Sequence, residues 1–325
     1  MSKVEDLKLK NSEMMKECFY NTHIWTKNEL SNTTGISKSA ITNILKDLIN
    51  IKMIEFIGEA QSTGGRKSKQ YRLNKDYFHI GKIVLQRKKD RYYFIGQSVN
   101  LFNQIIVDKQ IISKQGTYQE LAELIQELIT NDTSISTICL SIPGICENGF
   151  ISDCDFEELR NMELKKLLSD LLHKEIIIEN DVNVAVIALH HRYTIANLAL
   201  LYQPEVEYVG CGMIIANQLY NGYSHFAGEL RYLPFYNHQI QREMLNTHPK
   251  ELLRLQIETI CCVMNPEMIC LYSDVLNETE LQSISLQIPK QHQPRIQVIQ
   301  ELNMYLYEGL YDIAMNNLKD ENHVH

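Results

Sequence analysis

Nothing in this chain of 325 residues approaches the run of about 18 consecutive apolar residues that marks a membrane-spanning helix. A charged-apolar-small leader is also missing, so the sequence leads us to expect a soluble, unexported, cytoplasmic protein with no membrane partner. Cysteine is present but unpatterned. Cys18, Cys139, Cys146, Cys154, Cys211, Cys261, Cys262 and Cys270 supply no CxxC or CxC pair with a second pair at zinc spacing. Reduced, mostly buried thiols are the expectation, with no bound metal. The phosphate-loop pattern GxxxxGK[ST], with a helix directly behind it, is absent as well. In its place "STGGRKSKQY", residues 62–71, sets two adjacent glycines before basic residues, and a strand-like segment follows.

Charge is unevenly spread. The formal net charge is −8, yet residues 1–77 hold 13 Lys and Arg against 9 Asp and Glu, leaving −12 for the remainder. Such a split suits a small module that visits a polyanion, joined to a larger body that does not. A solvated helix face rich in lysine gives the same count. The length allows two or three domains with a full core, and we place the division at 1–77 and 78–325.

The first part reads as three helices and a hairpin. A helix covers about 11–20. Thr26 with Glu29 forms a capping box that opens a second, short helix, and "TTGIS" then turns through Gly35. Ser37 is a good N-cap for a third helix, about 38–49, whose Ile41, Ile44, Leu45 and Leu48 share one face. Lys38, Ser39, Thr42, Asn43 and Lys46 fall on its other faces. Short polar side chains can donate or accept at base edges, and lysine neutralises phosphate, so this is a helix-turn-helix layout for double-stranded DNA. A generic helical hairpin with a solvated face is the plain alternative. The segment that follows favours DNA. "MIEFIGE" and "KQYRLNK" read as strands around a basic tip, which makes a winged helix with Gly64, Gly65, Arg66 and Lys67 as the wing.

Beyond residue 77 strand-like and helix-like stretches alternate, which argues for an α/β body. The order is compatible with a two-lobed, actin-like (ribonuclease-H-like) fold. "ISTICLSI" ends in Pro143-Gly144, and the apolar "EIIIEND" leads into a helix at "NVAVIALHHRY".

The run "ELSNTTGISKSAITNILKDLINIKMIEFIGEAQSTGGRKSKQYRLN" resembles the N-terminal domain of the ROK family (repressors, open reading frames and kinases). "SIPGICENGFI", "IIIENDVNVAVIA", "IIANQLYNGYSHFAGELRYLPF" and "NPEMICLYSDV" resemble successive segments of its body. The resemblance implies a DNA-binding regulator, dimeric on its operator, with a sugar-kinase-like body. It also places Asn180, Asp181 and Glu229 where the family's sugar-hydroxyl ligands stand, so a sugar or sugar-phosphate effector is implied. Capping of the helix that follows is the competing role for Asp181. Asp181 also matches the base of the family's kinases, but their phosphate-holding turns are missing. Aligned on Ile80-Gly81 the first falls on "IVLQR", Ile83 to Arg87, and the second falls on Val206, Glu207 and Tyr208. Enzymatic phosphoryl transfer and a nucleotide cofactor are therefore not expected. The family's Gly-His is replaced by Arg231-Tyr232, and only 36 residues separate Glu229 from Pro266, too few for its cysteine-rich zinc loop. Arg231 can pair with Glu229, a change that suits an anionic effector or none.

Overall fold

The computed structural model describes residues 3–60, 67–205, 209–233 and 238–321. Its N-terminal part begins with α1 (Lys3–Phe19), longer than the sequence suggested. A two-residue strand β1 (Trp25–Thr26) runs directly into α2 (Lys27–Thr34), and α3 (Lys38–Asn50) follows. Both caps form as expected. Thr26 Oγ1 accepts from the Glu29 backbone while the Glu29 carboxylate takes the Thr26 backbone N–H, and Ser37 accepts from the Ala40 N–H. Gly35 closes α2 in the left-handed region at φ 71°, a conformation that costs glycine nothing. Strands β2 (Ile54–Glu59) and β3 (Lys69–Leu73) pair antiparallel, and β1 adds to the far side of β3 with Trp25 opposite Tyr71. Met15, Phe19, Leu30, Ile41, Leu45, Leu48, Met53 and Leu73 fill the core between helices and sheet. Each such side chain contributes about 1.5–3 kcal/mol by leaving water.

The body is built from two sheets wound alike. In the first, β4 (His79–Lys88), β5 (Arg91–Asn100) and β6 (Ile105–Ser113) form an antiparallel meander. Helix α4 (Tyr118–Asn131) crosses to β7 (Ile135–Ile142), and the order across the sheet is β10-β7-β4-β5-β6. Between β7 and the last strand lie the hairpin β8 (Gly144–Glu147) and β9 (Phe150–Cys154), then α5 (Leu164–Leu172) and β10 (Glu175–Asn180). Helix α6 (Asp181–Tyr193) leads to the second sheet, whose strands are β11 (Leu198–Gln203), β12 (Gly210–Ile215), β13 (Gln218–Leu219), β14 (Met268–Ser273) and β15 (Arg295–Val298). Their order, β13-β12-β11-β14-β15, repeats that of the first sheet. Helices α7 (His238–Thr247), α8 (Pro249–Val263) and α9 (Glu278–Gln282) belong to this half, and α10 (Leu302–Glu321) ends the chain.

Helices α6 and α10 pack on each other between the two sheets, and their apolar faces join a core that reaches the N-terminal part. A second core lies under α4 and α5, and a third under α8. Cys139, Cys146, Cys154, Cys211, Cys261 and Cys270 are buried free thiols, whereas Cys262 is exposed. The N-terminal part is tied to the body around His79. Its Nε2 lies 3.5 Å from Asp76 Oδ1 while its Nδ1 lies 2.7 Å from Asp132 Oδ2, and the Leu101 N–H donates to the Lys75 carbonyl at 2.9 Å. Among the described residues no helix is long and apolar enough to cross a membrane.

Candidate functional site

Two surfaces gather the side chains that the sequence singled out. On α3 the four apolar positions at helical spacing are all buried, and this rotates Lys38, Ser39, Asn43 and Lys46 into solvent. Thr42 is half-buried and already engaged. Its hydroxyl donates to the Lys38 carbonyl at 2.7 Å and accepts from Lys27 Nζ at 3.1 Å. Lys27, at the first turn of α2, therefore joins this face, a residue that sequence reasoning missed because its contact is fifteen positions away. The strands of the expected hairpin are present, and their pairing continues to the Ala60 N–H and the Ser68 carbonyl, 2.8 Å apart. Lys67 is exposed, and Lys69 Nζ lies 5.6 Å from the Phe56 ring centre. Gly64, Gly65 and Arg66 lie outside the described residues.

The second surface is a cleft of about 1050 Å³ between the two halves of the body. Asn180, Asp181 and Glu229 all line it, although β10 and the loop after β13 lie far apart in sequence. Asn180 is the cap of α6, with Oδ1 accepting from the Val182 and Asn183 N–H groups at 2.9 and 3.2 Å. Its Nδ2 donates to the Gly144 carbonyl at 2.7 Å, which fastens the Pro143-Gly144 corner to the cleft floor. The capping role offered for Asp181 thus belongs to its neighbour. Asp181 is the first helical residue, and its Oδ1 accepts the Val182 N–H at 2.8 Å.

Asp181 opens onto the cleft and is crowded by protein on its other sides. Burial, with the negative charges of Asp155 and Glu229 nearby, raises its carboxyl to about 7. Burial also pushes Glu229 up, and Asp153 adds to that push while Arg231 opposes it. The Arg231–Glu229 pair forms as the sequence suggested, with Nε 3.3 Å from Oε2. A second partner was not foreseen: Arg231 Nη2 lies 3.2 Å from Asp153 Oδ2 on β9, across the cleft. On the opposite wall Tyr202 donates its hydroxyl to Asp274 Oδ2 at 2.9 Å. Asp153, Asp155, Tyr202 and Asp274 could not be picked out beforehand, because nothing in "SDCDF" or "LYSD" says which way a loop will face. Behind the floor Asn183 donates from one amide to Glu179 Oε1 at 3.0 Å and to Asn221 Oδ1 at 3.1 Å.

The alignment that put the first phosphate-holding turn on Ile83 to Arg87 does not survive. Those residues are interior to β4, and the chain reverses at Lys89-Asp90, where Lys89 takes a φ of 54°. The tip is therefore Lys88-Lys89-Asp90-Arg91, with no glycine to expose backbone amides to a phosphate chain. The second such turn, placed on Val206, Glu207 and Tyr208, lies outside the described residues. Among the described residues no group of three or more His, Cys, Asp or Glu is arranged to hold a metal ion.

Known proteins resemble this chain at both levels. The "Xylose repressor" of Bacillus spizizenii (strain ATCC 23059 / NRRL B-14472 / W23) is 24% identical over 323 residues, spanning 94% of this chain and 79% of that one. The "Xylose repressor" of Bacillus subtilis (strain 168) is 25% identical over 319 residues with the same coverage. Among solved structures, a ROK family transcriptional regulator, homolog of the E. coli MLC protein, superposes with a TM-score of 0.62 at 15% identity. It covers 96% of this chain and 99% of its own. The ROK hexokinase from Thermus thermophilus covers 75% of this chain and 100% of its own, with a TM-score of 0.53 at 13% identity. At those identities the structures establish the fold, a mixed α/β architecture of the actin-like, sugar-kinase type. The sequence profile of the ROK family matches residues 98–240, a stretch that includes Asn180, Asp181 and Glu229. The match thus falls on the strands and loops that form the cleft floor.

Proposed function

We propose that this protein is a DNA-binding transcriptional regulator, a repressor of carbohydrate-related genes, whose body has no catalytic activity. Residues 1–77 act as a winged helix-turn-helix, and residues 78–325 dimerise and sense a sugar or sugar derivative. The observation that carries this reading is the face of α3: Lys38, Ser39, Asn43 and Lys46 point outward while Ile41, Ile44, Leu45 and Leu48 are buried. A helix so presented fits the major groove, and the Gly64–Lys67 wing expected from the sequence is assigned the adjacent backbone or minor groove. One such helix covers a half-site, so a symmetric dimer is the expected binding unit. The names of the Bacillus relatives support a sugar-linked repressor.

Band shifts on the DNA upstream of its own gene test this directly. Binding should weaken as salt rises, because lysine–phosphate contacts release counterions. The double substitution Lys38→Ala with Lys46→Ala should lower affinity by about ten- to a hundredfold, the loss expected of two groove-side cations. Unchanged affinity would sink the recognition-helix assignment. Arg66→Ala with Lys67→Ala tests the wing in the same assay.

In the body, Asn180 organises the floor while Asp181 and Glu229 offer carboxylates to ligand hydroxyls, each able to accept two. A scaffold without any effector is the second reading, favoured by Arg231, which already engages both Glu229 and Asp153. Sugars and sugar phosphates that raise the melting temperature support sensing; a panel that leaves it unmoved supports the scaffold. The kinase fold of the body makes turnover worth measuring as well, and ATP-dependent sugar phosphorylation lost in Asp181→Asn would overturn the non-catalytic reading.

A further inference from the structure

Thr42 differs from its neighbours on α3 because its hydroxyl is already engaged inside the protein. The proton goes to the Lys38 carbonyl at 2.7 Å, and Lys27 Nζ donates to the oxygen at 3.1 Å. What Thr42 has left to offer a base is its methyl group. The other apolar side chains in the first two turns of α3 are occupied: Ile41, Ile44 and Leu45 are buried, and Ala40 packs against the core. Lys38, Thr42 and Lys46 follow one another at four-residue steps and so form one row along the helix. Lys27 flanks the middle of that row from α2. Thr42 thus stands among three cations, with Lys38 and Lys46 exposed and Lys27 half-buried. The neighbouring Glu29 carboxylate is held elsewhere, by the Thr26 backbone N–H at 2.7 Å and the Thr26 hydroxyl at 2.8 Å.

Phosphate contacts hold a docked helix in register, and base edges are read between them. A row with a lysine at each end and Thr42 in the middle suits the border of the major groove, where a sugar-phosphate strand runs beside the bases. The group of an A·T pair nearest that strand is the thymine methyl, an apolar target that a threonine methyl matches. We propose, resting on the DNA-binding reading of α3, that Thr42 is a specificity-determining residue whose methyl group meets the methyl of one thymine in each half-site. Lys27 is its positioning residue. The bond from Lys27 fixes the hydroxyl and competes with an adenine or cytosine amino group for its lone pairs, so those bases gain nothing at this place. The remaining N–H groups of Lys27 serve the flanking phosphate, because the first helix of this layout crosses the backbone.

The test starts from a duplex that the full chain itself selects from a random pool. Each thymine of that duplex is then replaced in turn by deoxyuridine, which lacks only the C5 methyl and keeps every hydrogen-bonding group. At one symmetry-related pair of positions the unaltered protein should lose about fourfold per methyl, or about fifteenfold for the pair, the effect of one apolar carbon left in water at each half-site. Thr42→Ser keeps the hydroxyl and lacks the methyl. It should bind the thymine duplex about as weakly as the unaltered protein binds the uracil one, with no difference left between the two. Lys27→Ala should weaken binding to both duplexes and reduce the slope of log affinity against log salt by about one per half-site. It should also cut the thymine preference to about twofold or less per methyl, which the loss of a phosphate contact alone leaves unmoved. A selected duplex bound equally well with thymine or uracil at every position overturns the role of Thr42, and so does a thymine preference that survives Thr42→Ser. An unaltered preference in Lys27→Ala overturns the positioning role and leaves Lys27 a phosphate contact. If the chain selects no duplex at all, the DNA-binding reading fails and this proposal fails with it.

Discussion

Asp181→Asn should make the protein more stable at pH 8 and leave its stability near pH 4 almost unchanged. The sign follows from the proton count. Burial and the neighbouring acids hold the folded carboxyl at about 7, whereas an aspartate in the unfolded chain titrates near about 3.9. Between those values the native state keeps a proton that the unfolded state has released, so stability falls as pH rises. The contribution is fully present below the unfolded value and is lost as pH climbs through the folded one. About three pH units at roughly 1.4 kcal/mol each set an upper bound near 4 kcal/mol. Because Asp181 opens onto the cleft, solvent screens part of this, and about 2–3 kcal/mol is the expected gain. Asparagine cannot ionise, and its amide oxygen can keep the bond from the Val182 N–H now made at 2.8 Å. Denaturant unfolding of both proteins at pH 4, 6 and 8 decides the matter. The unaltered protein should lose stability across the series more steeply than the variant, and parallel curves would mean that Asp181 titrates normally. Glu179 and Glu229, also pushed up by burial, leave a residual slope of the same sign.

The same residue shows what could be read from the sequence. Features decided within a few positions were legible. The Thr26–Glu29 capping box, the Ser37 cap, the left-handed Gly35 and the buried stripe of α3 all form where local chemistry placed them. So do β7, β10 and α6, whose apolar patterns need no distant partner to be recognised. Outcomes that turn on a single step or a distant partner were not. Asn180 and Asp181 are adjacent, both suited to capping, and only the end of β10 pairing with β7 settles which one caps α6. The reach of β4 is a related case. Its pairing with β5 runs to Lys88 opposite Arg91, beyond the apolar part of the strand, and this moves the turn onto basic residues. The short strands β1, β13 and β15 exist only because longer neighbours supply their hydrogen bonds. The cleft is the extreme case: Asp153, Tyr202 and Asp274 meet Asp181 there through the winding of two sheets, which no local pattern encodes.

That winding depends on one close helix crossing, and Gly309→Ala should break it. On an exposed helix this substitution stabilises, since alanine is the better helix former by about 1 kcal/mol. Gly309 lies instead against α6, where a methyl group would run into the Val184 carbonyl oxygen and crowd its side chain. The obstacle is backbone, which cannot rotate away, so α6 and α10 must separate. Around the crossing Leu306, Leu310 and Ala314 are buried against α6 and the sheets, and all would loosen together. The net effect expected is a loss of about 3–5 kcal/mol, the upper range for overpacking a core. The opposite signs make the experiment decisive: a raised or unchanged denaturation midpoint would show that the helices do not approach this closely. Helix α10 also spans the body from end to end. Asn303 accepts from Gln86 of β4 at 2.6 Å, Tyr311 donates to the Leu101 carbonyl at 2.8 Å, and Asn317 donates to Glu175 at 2.7 Å. Leu101 in turn donates to Lys75, at the junction with the N-terminal part. A displaced α10 should therefore disturb the cleft and that junction at once. Gly309→Ala protein that remains folded at low temperature should lose DNA affinity although residue 309 lies outside the proposed DNA-binding surface, whereas an exposed substitution such as Met304→Ala should not.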